Sequence, residues 1–131
     1  MQLLPYRNLT VWKKAHALAM EVLDLAERAP IAQRFYLRDQ LCGAAMSIPA
    51  NIAEGSGRRT ARDNASFVDI ARGSLFELDT WLYTVTLKGY ASADEYEGWS
   101  ARLSEINAML YALSQSLRAR PPASERRPTK D

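Results

Sequence analysis

The chain has 131 residues, 47% of them hydrophobic, and a formal net charge of +2. That length suits one domain with a sizeable core. No apolar run approaches the roughly 18 residues of a membrane span, so no membrane partner is expected. The lone cysteine, Cys42, cannot form an internal disulfide, which suits the reducing cytoplasm. The opening MQLLPYRNLTVWKK lacks the basic start, apolar core and small-residue cleavage site of a signal peptide. The excess positive charge all falls in the stretch from Ala119 to Asp131, which leaves residues 1–118 neutral in sum. Three prolines and few apolar residues predict a disordered tail over 119–131, behind a single domain over 1–118.

The first periodic segment runs from about Asn8 to Arg28. Leu9, Trp12, Ala19, Leu23 and Ala26 recur at helical spacing, with His16 in the missing position. A second row, Val11, Ala15, Leu18, Val22 and Leu25, lies beside it, so the apolar face is wider than one seam requires. Asn8 is the expected N-cap, and Pro30 ends the helix. The second segment, about Phe35 to Glu54, carries Leu37, Leu41, Ala44, Ala45, Ile48 and Ile52. Its many small residues predict close approach by a neighbouring helix. Pro49 is expected to free the Ala45 carbonyl and kink the helix, and Gly55 and Gly57 to supply a left-handed C-cap.

The third segment opens on a cap signal, Thr60 followed by Asp63, and its seam is Val68, Ala71, Leu75, Leu78, Leu82 and Val85. Phe76, Tyr83 and Leu87 fall outside that seam, and Gly89 closes the segment. The fourth begins with a full capping box, Ser92 to Glu95, and carries Tyr96, Trp99, Leu103, Ile106, Leu110, Leu113 and Leu117. Four helical segments joined by short turns, with no strand signal, predict an all-α fold, an antiparallel up-down-up-down four-helix bundle.

Within the second helix stands the string Ser47-Ile48-Pro49-Ala50-Asn51-Ile52-Ala53-Glu54-Gly55, followed by Arg58. With Leu9, Trp12, Ala15, Gln40, and Gly73-Ser74-Leu75 ahead of Glu77-Leu78, it resembles the intervening-sequence proteins of large-subunit ribosomal RNA. The likeness covers roughly Tyr6 to Leu117. It implies a cytosolic, non-enzymatic bundle that assembles into a ring-like homopentamer. A related group, the accessory proteins of diversity-generating retroelements, binds nucleic acid alongside a reverse transcriptase. Ser47, Pro49, Asn51, Glu54, Gly55, Ser74 and Glu77 carry over as structural motif residues. The chain departs from the family at Cys42 and Gly43, where relatives carry two arginines, and any charge those supply is missing here.

An up-down-up-down bundle brings the start of the first helix, the turn between the second and third, and the end of the fourth to one end. That end collects Arg7, Lys13, Lys14, Arg58, Arg59, Arg62, Arg118 and Arg120, while Asp24, Glu27, Asp39, Asp94, Glu95 and Glu97 gather at the other. Arginines flanking a helix N-terminus suit phosphate, so Arg58, Arg59, Arg62, Arg118 and Arg120 are the candidate nucleic-acid or anion site. The bland reading of the same residues is a solvated turn partly neutralised by Glu54 and Asp63. RNA, DNA or an acidic partner are the candidate ligands.

Ser47, Asn51 and Glu54 form a polar strip on an apolar helix. Antiparallel pairing through Pro30 sets His16 opposite Ser47, which predicts a polar cluster of His16 with Ser47 or Asn51. A catalytic use of that strip is the alternative function, an enzyme of unknown type. One His and one Cys exclude a Cys/His zinc site, and their expected axial separation of about 8 Å excludes direct thiol activation. Gly55-Ser56-Gly57 lacks the strand and lysine of a phosphate loop, so no cofactor, metal or small-molecule substrate is expected. The wide apolar face of the first helix, together with Phe76, Tyr83 and Leu87, predicts a self-association surface.

Overall fold

The computed structural model describes residues 3–122 of the chain. Four α-helices follow one another: α1 Thr10–Ala26, α2 Phe35–Ser56, α3 Ala61–Leu87 and α4 Ala93–Arg118. Short 3-10 turns, Pro5–Asn8 and Ile31–Gln33, precede α1 and α2, and no strand occurs among the described residues. Each helix packs on its sequence neighbours, α1 also meets α4, and the backbones of the diagonal pairs stay apart, which is the antiparallel four-helix bundle expected. No helix among the described residues is long and apolar enough to cross a membrane.

The predicted seams of α2, α3 and α4 supply most of the core. All six seam residues of α3 are buried, as are Leu41, Ile48 and Ile52 of α2 and Trp99, Leu103, Ile106, Leu110 and Leu117 of α4. Full burial of each such leucine or isoleucine contributes about 1.5–3 kcal/mol. On α1 the second row is the core row. Val11, Ala15, Leu18, Val22 and Leu25 are all buried. In the first row, Ala19 and Ala26 are buried, Trp12, His16 and Leu23 are half-buried, and Leu9 is exposed. The wide face of α1 is therefore largely covered within one chain, whereas Phe76, Tyr83 and Leu87 on α3 remain 50% to 69% exposed.

The caps divide into three confirmed and two corrected. Asp63 donates its backbone N–H to the Thr60 hydroxyl, and Ser92 and Glu95 form the reciprocal box at the start of α4. Gly89, at φ +81°, ends α3 in a Schellman motif, with Gly89 N–H on the Thr86 carbonyl and Tyr90 N–H on that of Val85. Asn8 is not the cap of α1. It closes the 3-10 turn, and Leu9 takes the cap position without a side-chain bond. Nor is there a left-handed cap after α2, since Gly57 has φ −87° and Gly55 lies within the helix.

Three ion pairs join α1 and the turn just after it to α4. Lys14, Glu21 and Arg28, seven residues apart, meet Glu105, Arg102 and Glu95 respectively. Exposed pairs of this kind contribute about 0–1 kcal/mol each. Their alternating signs matter more, because a one-heptad slip would set Glu21 against Glu95 and Lys14 against Arg102.

The hydrogen bond from Arg28, followed by the backbone N–H of Ser92, holds the Glu95 carboxyl down at about 2. A carboxyl lowered on folding adds stability above its ordinary range, and that contribution is lost as pH falls through the folded value. Acid unfolding of the chain should therefore have a component between about pH 4.5 and 2. Glu95→Gln should flatten that limb in thermal melts followed by circular dichroism, and an unchanged limb would place the linkage elsewhere.

Candidate phosphate-binding end

The α2–α3 pair is the most extensive helix contact and positions the basic turn. Ser47 and Ser74 share a hydrogen bond of 2.7 Å across it. One turn on, the Asn51 amide donates to the Ser47 carbonyl at 2.8 Å and to its hydroxyl at 2.9 Å. At Gly55 the backbone of α2 comes so near α3 that an added Cβ would lie 2.7 Å from Asn64 Oδ1 and 2.9 Å from Phe67 Cβ. Glu54 then pairs with Arg58 at 3.1 Å, and the Arg58 guanidinium stacks on Phe67 with 4.4 Å to the ring centre.

This arrangement corrects the expectation about the polar strip. Asn51 reaches Ser47, and Ser47 reaches Ser74, so the strip fastens α2 to α3. His16 does not join it. The imidazole stacks on Trp12, one turn back on its own helix, at 4.8 Å and 12° between planes. The 3-10 turn Ile31–Gln33 intervenes between the helices, so counting outward from Pro30 does not fix which face of α2 meets α1. Removing either serine hydroxyl should cost about 0.5–1.5 kcal/mol. Urea denaturation of Ser47→Ala, Ser74→Ala and the double variant should show strong non-additivity; additive losses would mean the two act separately.

The structure divides the candidate arginines. Arg59, Arg62, Arg118 and Arg120 line one cavity of about 390 Å³, formed by the N-terminus of α3 and the C-terminus of α4. Arg58 stands apart from it, held by Glu54 and Phe67. Within the cavity wall only Arg118 has an ion pair among the described residues, to Asp69 at 2.5 Å. Asp69 also accepts from Ser114, a buried polar side chain of α4. Burial raises the Asp69 carboxyl, but the Ser114 hydroxyl and Arg118 outweigh it and leave it below its ordinary range. Lys14 is drawn off to Glu105 on the α1–α4 flank, and Lys13 lies beside the same groove.

Of the remaining motif residues, Pro49 is buried inside a continuous α2, and exposed Glu77 has the Trp81 indole nitrogen 3.5 Å from its carboxylate. Burial pushes the Cys42 thiol up, against the pull of Arg38, which suits a packing role. No group of three His, Cys, Asp or Glu converges as metal ligands among the described residues. Sequence reasoning missed Asp69, whose part in the arginine cluster depends on a contact between residues 49 positions apart. It also missed Arg72, which donates to Asn107 at 2.7 Å and lies between the rings of Phe76 and Tyr111.

A tightly joined α-helical bundle with one arginine-lined end is the class of protein these features define. The family model of the 23S rRNA-intervening sequence protein matches residues 7–112, and the chain belongs to that family. Among solved structures, it is similar to a protein of unknown function from the S23 ribosomal protein family of Bacteroides thetaiotaomicron. That likeness has 24% identity and a TM-score of 0.75, and covers 81% of this chain and 99% of the other, which fixes the shared fold. A search of curated proteins gave no match.

Proposed function

We propose that the chain is a non-enzymatic, cytoplasmic, self-assembling scaffold whose arginine-lined end binds the phosphates of nucleic acid. The observation that carries this reading is the convergence of Arg59, Arg62, Arg118 and Arg120 on one cavity at a helix N-terminus. Guanidinium groups grip phosphate bidentately, and the N–H groups of the first helical turn add to the same field. Three of the four have no carboxylate partner among the described residues. Family membership supports a ribosomal-RNA association in its name only.

Self-assembly rests on the apolar side chains α3 and α4 leave in solvent. Phe76, Tyr83, Leu87 and Tyr111 are each at least half exposed. Repetition of one arginine end around an oligomer adds weak contacts into useful avidity. Five copies is the number that the family resemblance implies. Against the enzymatic alternative, Ser47 and Asn51 are bonded into the α2–α3 joint and Glu54 pairs with Arg58.

Purification at low salt without nuclease tests both halves, using light scattering for mass and the ultraviolet ratio for nucleic acid. The expected result is an oligomer carrying nucleic acid that moderate salt removes. A clean monomer that binds no RNA or DNA would overturn the reading, and an acidic protein bound in its place would change the partner.

A further inference from the structure

A second cavity adjoins the arginine-lined one. It has a volume of about 230 Å³, with Tyr6 and Leu9 before and at the start of α1, Ser56 of α2, Asn64 of α3 and Leu113 of α4 in its wall. Leu117 and Arg120 belong to both cavities, so the two share a boundary. The lining is firmly held. Leu117 is a core side chain, and the Tyr6 ring is braced edge-on against Trp12 at 5.2 Å. Arg7 lies over the other ring of that pair, 5.9 Å from the Trp12 centre.

The chemistry of this wall is mixed in a specific way. It offers an aromatic ring and branched aliphatic side chains, which suit a flat apolar group. It also offers the Asn64 amide and the Ser56 hydroxyl, each able to donate and accept. Neither side chain has a hydrogen-bond partner among the described residues. An acyl chain placed there would leave both polar groups unpaired, at a cost that a heterocycle with polar edges avoids. One wall away stand guanidinium groups that suit a phosphate. A flat ring with hydrogen-bonding edges, joined at short range to a phosphate, is a nucleotide whose base is neither stacked nor paired.

We infer that this second cavity receives the base of an unpaired nucleotide whose phosphate rests on Arg120 and its neighbours, so that the basic end selects single strands over duplex. The inference rests on the phosphate-binding reading above and adds what the phosphate is attached to. A duplex keeps the faces of its bases stacked inside, where Tyr6 cannot reach them, and no base is free to enter the cavity. Single-strand binders combine a basic groove with aromatic rings for the same physical reason.

Fluorescence anisotropy on the full chain tests it with three ligands of matched phosphate number: a short single-stranded RNA, the corresponding abasic strand, and a duplex. The base-bearing strand should bind at least about five-fold tighter than the abasic strand, the scale of one base stacked on an aromatic ring. Tyr6→Ser should remove that preference while leaving the salt dependence in place. The abasic comparison needs no variant, so it stands even where Tyr6→Ser impairs folding. Displacement of the strand by a nucleoside monophosphate, but not by inorganic phosphate, would support the same pocket and show that a free nucleotide also occupies it. Equal binding of base-bearing and abasic strands with a steep salt dependence would overturn the base pocket and leave phosphate binding intact. No binding of any strand would overturn both.

Discussion

Replacing Gly55 with alanine is expected to destabilise the fold by about 1–3 kcal/mol, the usual cost of overpacking a tight interior. The direction is informative, because alanine is the better helix former by about 1 kcal/mol and Gly55 lies inside α2. The new methyl would sit 2.7 Å from Asn64 Oδ1, 2.9 Å from Phe67 Cβ and 3.0 Å from the Asn64 carbonyl oxygen. The Asn64 side chain can turn away. The carbonyl and the Phe67 Cβ belong to the frame of α3, so α3 itself has to move. Gly43 supplies the control, since nothing lies within 4 Å of a Cβ built there. Gly43→Ala should stabilise by about 0.5–1 kcal/mol in the same urea titrations. A neutral or stabilising Gly55→Ala would mean that α2 and α3 are not locked at this point.

The second large effect concerns binding. Changing Arg59, Arg62, Arg118 and Arg120 together to alanine should abolish most of the affinity for single-stranded RNA at low salt, since these groups supply the positive field of the cavity. Arg58→Ala should leave that affinity nearly unchanged, because Arg58 already faces Glu54 and the Phe67 ring. It should instead loosen the α2–α3 joint, seen as a small fall in thermal midpoint. Asp69→Asn offers an opposite sign. It releases Arg118 from its carboxylate, so RNA binding should strengthen, while the replacement of one acceptor oxygen by an amide that cannot accept from Arg118 weakens the fold. Equal losses from Arg58→Ala and the four-residue variant would show that the charge acts diffusely rather than through the cavity.

The bundle was legible in the sequence because α3 and α4 each carry one clean seam between strong caps. The Thr60 cap, the Ser92–Glu95 box and Gly89 all act where the pattern placed them. On α1, two adjacent rows have the same helical spacing, and only packing against α2 and α4 decides that the row with Leu18 and Val22 faces the core. Gly55 was readable as a functional glycine but not as a helix-contact glycine, since a C-cap and a close approach require the same absent side chain. Arg58 and Glu54 stand four apart, so their pairing was within reach of the sequence. The stacking of Arg58 on Phe67 was not, because it depends on how α2 and α3 meet. The same holds for the base cavity, whose wall is drawn from the N-terminal segment and three helices.

The arginine-lined end is the centre of this account, and the salt dependence of single-stranded RNA binding by the full chain tests it most directly. Three to four phosphate contacts on single strands predict a log–log slope of about −2 to −3, so affinity should fall about 20- to 50-fold on a four-fold rise in salt. A slope near zero, or no binding at low salt, would contradict it.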